Sequence, residues 1–171
     1  MRYFKQGQHD GLCGFYAALN AFRYIQHTAK HILLREEDAA FYDEGVECLA
    51  RVPGIDIRVL KSNSAIGGID QFQIRDLCRI FAERIDLDIS IELIGHRQRM
   101  SFSQRYGSLW AHGKAFAVIA AHRDGSHWVV AARHQTHAYQ LIDNGRSQPI
   151  ALRGGDGPQL ATDAAVVLTF I

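Results

Sequence analysis

The sequence contains no long apolar stretch. Nowhere in its 171 residues do about 18 apolar residues follow one another, the length that a membrane-spanning helix requires. The first residues, Met1 to Gln6, carry positive charge but are not followed by the apolar segment of a signal peptide. We therefore expect a protein with no membrane partner that resides in the cytoplasm or is exported as an effector without a signal peptide.

Cysteine is scarce, and neither sign of charge is in excess. The three cysteines, Cys13, Cys48 and Cys78, are odd in number and form no CxxC pair. This pattern favours free thiols in a reducing compartment over a disulfide scaffold. The 19 basic and 18 acidic side chains nearly cancel, whereas a nucleic-acid-binding domain carries a concentrated basic face. We therefore expect no nucleic-acid partner.

The order of periodic patterns indicates the fold class. Helices are predicted from about Cys13 to Ile25, over 35–50 and from Asp70 to about 85, with a long connection over 52–68. Strands are predicted over 87–93, 115–121, 127–132, 139–142 and 164–171. Helices followed by strands indicate an α+β fold with an antiparallel sheet. A chain of this length and 47% hydrophobic content is expected to form one domain over residues 1–171.

Cys13 is the candidate nucleophile. Asp10 is a good N-cap for the first predicted helix, which places Cys13 in the first turn. The unpaired N–H groups and the dipole of a helix N-terminus favour the thiolate. The competing interpretation is that Cys13 is a small buried hydrophobic residue, and this interpretation is kept for Cys48 and Cys78.

His127 and Asp143 are the candidate partners of that thiol. His127 opens a predicted strand after a polar turn, and Asp143 closes the next strand. Because adjacent antiparallel strands bring the start of one near the end of the other, the carboxylate is expected behind the imidazole. Such a pair fixes the histidine tautomer and supports a thiolate–imidazolium pair. Taken singly, His127 also fits a strand-end histidine exposed to water, and Asp143 also fits a turn aspartate that starts an Asp-Asn-Gly bend.

Five further residues are candidates for supporting roles. The Gln8 amide is a candidate oxyanion donor beside the Cys13 N–H, and Gln6 is its competitor. Gly14 leaves room for a substrate backbone, and Trp128 either lines the cleft or belongs to the core. Asn20, which is polar within the first helix, either bonds to a neighbouring loop or faces water.

Cofactor and metal sites are not expected. His134 and His137 have no partner at a convincing metal-ligand spacing. The glycine cluster at 154–157 lacks the Lys-Ser/Thr ending of a phosphate-binding loop.

These motifs resemble the papain-like cysteine peptidase superfamily. Gln8 to Asn20 (QHDGLCGFYAALN) is similar to the glutamine and cysteine-glycine opening of these enzymes, and its closest likeness is to bacteriocin-leader peptidase-like proteins and Josephin-type deubiquitinases. SHWVV at 126–130 and LIDNG at 141–145 are similar to their histidine and terminal Asp/Asn motifs. Asp143 followed by Asn144 matches neither group, so the family within the superfamily stays open.

The resemblance implies a papain-like fold and a Cys-His-Asp thiol hydrolase. The nucleophile would lie on a central helix, and the histidine and aspartate on the sheet. The expected substrate is a protein or peptide, with cleavage after glycine, as in Gly-Gly-ended tails. Acyl transfer or glutamine deamidation with the same triad, and a non-catalytic binding module on this fold, are the alternatives.

Overall fold

The computed structural model describes residues 3–5, 12–28, 37–60, 68–94, 116–122, 127–135, 138–143, 146–151 and 160–171. The helices are α1 (Cys13–Thr28), α2 (Glu37–Ala50), α3 (Ile57–Leu60) and α4 (Gln71–Arg84). The strands are β1 (Ile89–Ile94), β2 (Phe116–His122), β3 (Trp128–Gln135), β4 (Ala138–Asp143), β5 (Arg146–Ala151) and β6 (Leu160–Phe170). Among these described residues, no helix is both long enough and apolar enough to span a membrane.

Helix α1 forms the centre of the helical part of the molecule. The apolar side chains whose spacing predicted it, including Phe15, Leu19, Phe22 and Ile25, are all fully buried. The predicted start of α1 near Cys13 is confirmed. The Asp10 cap lies outside the described residues.

Helix α4 begins with a capping box at Asp70. The Asp70 carboxylate accepts hydrogen bonds from the N–H groups of Phe72 and Gln73, both at 2.8 Å. In return, the Gln73 side chain accepts from the Asp70 N–H at 3.0 Å. Two donors that the first helical turn leaves unpaired are satisfied in this way, and the predicted start near Asp70 is confirmed.

The connection predicted over 52–68 contains the short helix α3, which the sequence pattern does not indicate. The Asp56 carboxylate accepts a hydrogen bond from the Arg58 N–H at 2.9 Å. A side-chain acceptor of this kind favours a helical turn, and one turn is too short to give an apolar period.

The six strands form one antiparallel sheet in the order β1-β6-β2-β3-β4-β5. The predicted α+β class with an antiparallel sheet is therefore confirmed. Strand β6, the last of these strands in sequence order, lies between β1 and β2. Strand β5, at one edge, was not predicted, because its segment is polar and contains Pro149; a proline is tolerated at a sheet edge.

The central strands are buried on both faces. One apolar cluster joins the helices to the sheet and includes Ile119, Val130 and Val166. A second cluster lies on the opposite face and includes Val118 and Val129. Burial on both faces explains why these strands read as continuous apolar runs rather than as alternating patterns. Helix α1 packs against β2 and β3, and this contact positions the site described next.

Candidate active site

Cys13 is the first residue of α1 and is half-buried. The helical hydrogen bonding begins beside it, where the Leu12 carbonyl accepts from the Tyr16 N–H at 3.0 Å. The first turn of a helix leaves its N–H groups without intrahelical partners and carries the positive end of the helix dipole. The thiol therefore lies where negative charge is stabilised.

His127 and Asp143 lie at the same end of the sheet. His127 immediately precedes β3, and Asp143 is the last residue of β4. The two strands are antiparallel with Val130 opposite Ile142, so the start of β3 lies beside the end of β4. The His127 Nε2 is 2.6 Å from the Asp143 Oδ1. The predicted juxtaposition of these two side chains is present in the structure.

The orientation of the imidazole follows from this contact. The His127 side chain is hydrogen-bonded both to Asp143 and to the Cys13 thiol. Because Nε2 faces the carboxylate, Nδ1 is the ring nitrogen available to the sulfur. The side chains of His127 and Asp143 are 27% and 40% exposed, so the dyad is open to solvent on one side.

Two opposing effects determine the pKa of Cys13. Burial of the thiol acts to raise its pKa. Hydrogen bonds from the His127 side chain and from the Trp128 and Gly14 backbone, together with the imidazole charge, outweigh burial, and the pKa of Cys13 is lowered below its ordinary value. Donors that favour the anion have this effect on any thiol.

The pKa of His127 moves in the opposite direction. Its hydrogen bond to Asp143, followed by its hydrogen bond with Cys13, raises the pKa to about 10, although partial burial opposes the change. Between the lowered pKa of Cys13 and about pH 10, the thiolate–imidazolium form predominates. The geometry therefore favours a thiolate beside a protonated imidazole, which is the arrangement that nucleophilic catalysis by cysteine requires.

The other two cysteines have the opposite electrostatic environment. Cys48 and Cys78 are fully buried, and burial raises the pKa of each thiol. Cys78 lies on the apolar face of α4, as its sequence spacing predicted. Among the three thiols, only the Cys13 thiol has a lowered pKa.

Comparison of the chain with known family models and with curated proteins gives no match. The assignment of a function therefore depends on the arrangement of Cys13, His127 and Asp143.

Gly14 and Trp128 both adjoin the thiol. Gly14 is buried, and a Cβ atom there would come within 2.6 Å of the Ile69 Cγ1 and 2.9 Å of the Ile74 Cδ1. The close packing of α1 against this part of the chain therefore requires glycine. Trp128 is half-buried and packs against the main core cluster, while its backbone hydrogen-bonds to the Cys13 sulfur. Their contact with substrate stays a prediction.

Several predicted residues lie outside the described part of the chain. Both candidate oxyanion donors, Gln8 and Gln6, are among them, and so is His137. The side chain of His134 is also not described. Within the described ranges, no group of three His, Cys, Asp or Glu side chains could hold a metal ion.

Asn20 holds the backbone of Phe4 in the described N-terminal segment, residues 3–5. Its side-chain oxygen accepts from the Phe4 N–H at 2.7 Å, and its side-chain amide donates to the Phe4 carbonyl at 3.1 Å. The Arg23 guanidinium lies 4.6 Å above the centre of the Phe4 ring. Of the two interpretations of Asn20, bonding to a neighbouring segment is therefore correct.

The sequence did not predict a tyrosine pair between α1 and α2. Tyr16 lies one turn after Cys13 on α1, and its hydroxyl is 3.5 Å from that of Tyr42 on α2. Both side chains are half-buried. The three-residue spacing between Cys13 and Tyr16 was visible in the sequence, because residues three apart are neighbours on a helix surface. The partner on α2 was not.

A cavity of about 490 Å³ lies between α4 and β1. Its lining includes Arg79, Glu83, Asp86 and Ile89. Strand β1 is at the far edge of the sheet, three places from β3. The cavity is therefore separate from the Cys13 site.

Proposed function

We propose that this protein is a papain-like cysteine hydrolase that cleaves a peptide or isopeptide bond through Cys13, His127 and Asp143. The single observation that carries the proposal is the chain of contacts from thiol to imidazole to carboxylate, with the thiol at the start of a helix. The arrangement of a nucleophile helix against an antiparallel sheet that bears the other two residues also supports it.

In the first step, the Cys13 sulfur attacks the substrate carbonyl. The carbon–sulfur bond forms as the carbonyl electron pair moves onto oxygen. When the tetrahedral intermediate collapses, the carbon–nitrogen bond breaks, and the proton on His127 Nδ1 passes to the leaving amine. The products of this step are a free amine and an acyl-enzyme with a neutral imidazole.

In the second step, water resolves the acyl-enzyme. His127 removes a proton from water, which attacks the thioester and releases a carboxylic acid, and the thiolate–imidazolium pair is restored. Asp143 holds the ring by its Nε2–H and stabilises the imidazolium without taking the proton. Gln8, with Gln6 as its competitor, is the predicted side-chain donor to the oxyanion.

The test is to detect the nucleophile and the acyl-enzyme directly. Iodoacetamide should alkylate Cys13 at pH 7 at least about tenfold faster than Cys48 or Cys78, because the thiolate is the reacting form. Mass spectrometry of the intact protein, quenched in acid after mixing with a peptide thioester, should show an adduct on Cys13. The matched variants are Cys13→Ala, which should lose the adduct, and Cys78→Ala, which should keep it.

The outcome that would contradict the proposal is equal alkylation of all three thiols in the folded protein. Release of ammonia from glutamine, or transfer of the acyl group to an added amine in preference to water, would instead assign the triad to deamidation or acyl transfer.

A further inference from the structure

Strand β1 leaves one edge of the sheet open. Its six residues pair with β6 on one side, from Ile89 opposite Phe170 to Ile94 opposite Ala165. Within the described ranges, no strand pairs with its other side. Alternate residues of an antiparallel strand direct both backbone N–H and C=O away from a given neighbour, so about half of the residues in β1 present unpaired groups at this edge. An open edge of this kind is a template for a further strand.

The cavity between α4 and β1 adjoins this edge. Its described lining comes from α4, from residues 86–88 and from β1, with no residue of β6, so it lies towards the outer side of the sheet. Leu87, Ile89 and Ile91 contribute an apolar surface and are half-buried rather than enclosed. The volume of about 490 Å³ lies within the range of roughly 300–1,000 Å³ that is typical of ligand pockets.

A strand added at the open edge would place side chains in this cavity. Residues two apart on a strand share a face, and Ile89 and Ile91 line the cavity. Every second side chain of an added strand would therefore lie on the α4 side, next to these isoleucines. In this mode of binding, backbone hydrogen bonds hold the peptide and the cavity selects its alternate side chains.

The rim of the cavity carries an excess of negative charge. Glu83, Asp86 and Asp88 provide three carboxylates, against the one guanidinium of Arg79 among the described lining residues, and all four residues are exposed. No ion pair to any of the three carboxylates occurs among the residues that the structure describes. Complementary charge therefore favours a basic side chain in the ligand. A second copy of β1 does not provide one, because residues 86–94 contain no lysine or arginine.

We propose that the open edge of β1 and the adjoining cavity bind an extended peptide segment of a partner protein, in which the cavity-facing positions carry apolar residues flanked by lysine or arginine. The segment adds to the sheet as a strand beside β1, and its apolar side chains contact Ile89 and Ile91. Its basic side chain lies at the rim, near Glu83, Asp86 and Asp88. The site is three strands away from β3, and it does not depend on the proposed catalytic function.

A fluorescein-labelled peptide, Lys-Thr-Val-Thr-Val-Thr-Lys, tests the site on the full chain by fluorescence anisotropy. Its lysines and valines occupy alternate positions. Because the sequence reads the same in both directions, a lysine reaches the acidic rim in either orientation. The peptide should bind saturably with a Kd below about 1 mM. The same peptide with both lysines replaced by glutamate should bind at least about fivefold more weakly.

Backbone methylation separates strand addition from binding of the side chains alone. One peptide carries N-methyl groups on both valines, and another carries them on two of its threonines, while the side chains stay the same. Alternate N–H groups point to opposite edges of a strand, so one of these peptides should lose binding and the other should retain it. Equal binding by the two methylated peptides would contradict strand addition.

Glu83→Gln/Asp86→Asn removes two rim charges. Asparagine tolerates the positive φ of 52° at position 86. This double variant should bind the lysine peptide about three- to tenfold more weakly than the wild type, and Arg79→Gln should bind it more tightly. The matched control is Asp43→Asn/Glu47→Gln, which makes the same change in net charge at exposed positions on α2 and should leave the affinity unchanged.

Three results would overturn the peptide site: no saturable binding of the lysine peptide, an equal loss of affinity in the two double variants, or analytical ultracentrifugation showing a dimer through β1 that the peptide does not dissociate. Labelling of Cys13 by iodoacetamide reports separately on the proposed function, and its rate should be the same in every variant. Peptide binding by a wild type in which Cys13 reacts no faster than Cys48 would reject the catalytic proposal and leave this site intact.

Discussion

At the residue scale, the hydrogen bond between His127 and Asp143 sets the charge state of the site. A neutral imidazole would leave Cys13 without a positive partner, and burial would then raise the thiol pKa as it does for Cys48 and Cys78. With the carboxylate 2.6 Å from Nε2, the imidazolium persists to about pH 10. The same residue types without this contact would not give a reactive thiol.

The first prediction concerns pH. The proposed reaction requires a Cys13 thiolate and a protonated His127, so the rate should rise through the lowered pKa of Cys13 and fall at about pH 10, where His127 loses its proton. Asp143→Ala removes the main cause of the raised His127 pKa, and the falling limb should move down towards the ordinary value near 6.5. The measurement is kcat/KM against pH.

Two further variants complete this experiment. Asp143→Asn should also lower the falling limb but keep measurable activity, because an amide oxygen can still accept from Nε2–H and hold the ring. Glu92→Gln, an exposed position on β1, should leave the profile unchanged. A falling limb that stays near pH 10 in Asp143→Ala would assign the histidine pKa to another group.

The second prediction concerns the oxyanion donor. Gln8→Ala should lower kcat by about one hundred- to one thousandfold, as does the loss of other donors of this kind. KM should change little, because the bond forms chiefly in the transition state. Steady-state kinetics with Gln6→Ala as the matched variant decide between the two glutamines. A larger loss in Gln6→Ala, or an effect on KM alone, would reassign the role.

At the scale of elements, the position of Cys13 depends on how closely the N-terminus of α1 packs against the start of α4. Gly14 follows Cys13 directly, and its missing side chain is what permits the contact with Ile69 and Ile74. A displacement of the first turn would move the sulfur relative to His127. In enzymes, a displacement of about 1 Å at a reacting group can lower the rate about one hundredfold.

The third prediction follows from this packing. Gly14→Ala places a Cβ 2.6 Å from the Ile69 Cγ1, and because a β-branched side chain is stiff about χ1, this atom cannot rotate aside at low cost and the surrounding packing must shift. Overpacking of this kind costs about 1–3 kcal/mol in the free energy of unfolding, offset by up to about 1 kcal/mol from the better helix propensity of alanine. Urea denaturation measures the net change.

Gly45→Ala on α2 is the matched control. Its Cβ would also come within 2.6 Å of another atom, but that atom is the terminal Cδ2 of Leu19, which can rotate aside at lower cost. Ile69→Ala vacates the space beside Gly14. The double variant Gly14→Ala/Ile69→Ala should therefore be more stable than the sum of the two single losses in unfolding free energy predicts. Additive losses would show that the two positions do not contact each other.

At the scale of the whole molecule, one apolar cluster connects the two halves of the candidate site. Cys13 is on a helix, and His127 and Asp143 are on the sheet, and the core between them includes Phe15, Ile119 and Val130. Helix α1 packs directly against β2 and β3. The alignment of the three side chains therefore depends on the integrity of this core.

The fourth prediction tests that dependence. Because the core joins α1 to the sheet, the rapid alkylation of Cys13 should disappear at the same urea concentration at which circular dichroism reports loss of secondary structure. Coincident transitions are the signature of cooperative unfolding. Cys48 provides the internal control, since its buried thiol should become reactive in the same transition. Loss of Cys13 reactivity at clearly lower urea would show that helix and sheet separate before either unfolds.

Local patterns in the sequence determined most of the elements and the candidate residues. The period of the apolar residues after Cys13 predicted α1, and Asp70 marked the start of α4, because both signals are confined to neighbouring positions. The order of helices and strands predicted the α+β class. His127 and Asp143 were recognisable because each stands at the end of a strand pattern, where a side chain can leave the sheet.

Other features were decided only by contacts between distant parts of the chain. Strand β5 has a polar sequence with a proline and is held in place by pairing with β4, although Asn144-Gly145 between them is a hairpin signal. Glycine is required at position 14 because Ile69 packs against it. Tyr16 contacts Tyr42 because helices α1 and α2 pack together. Contacts between residues tens of positions apart leave no period in the sequence, so the tertiary structure was needed to find them.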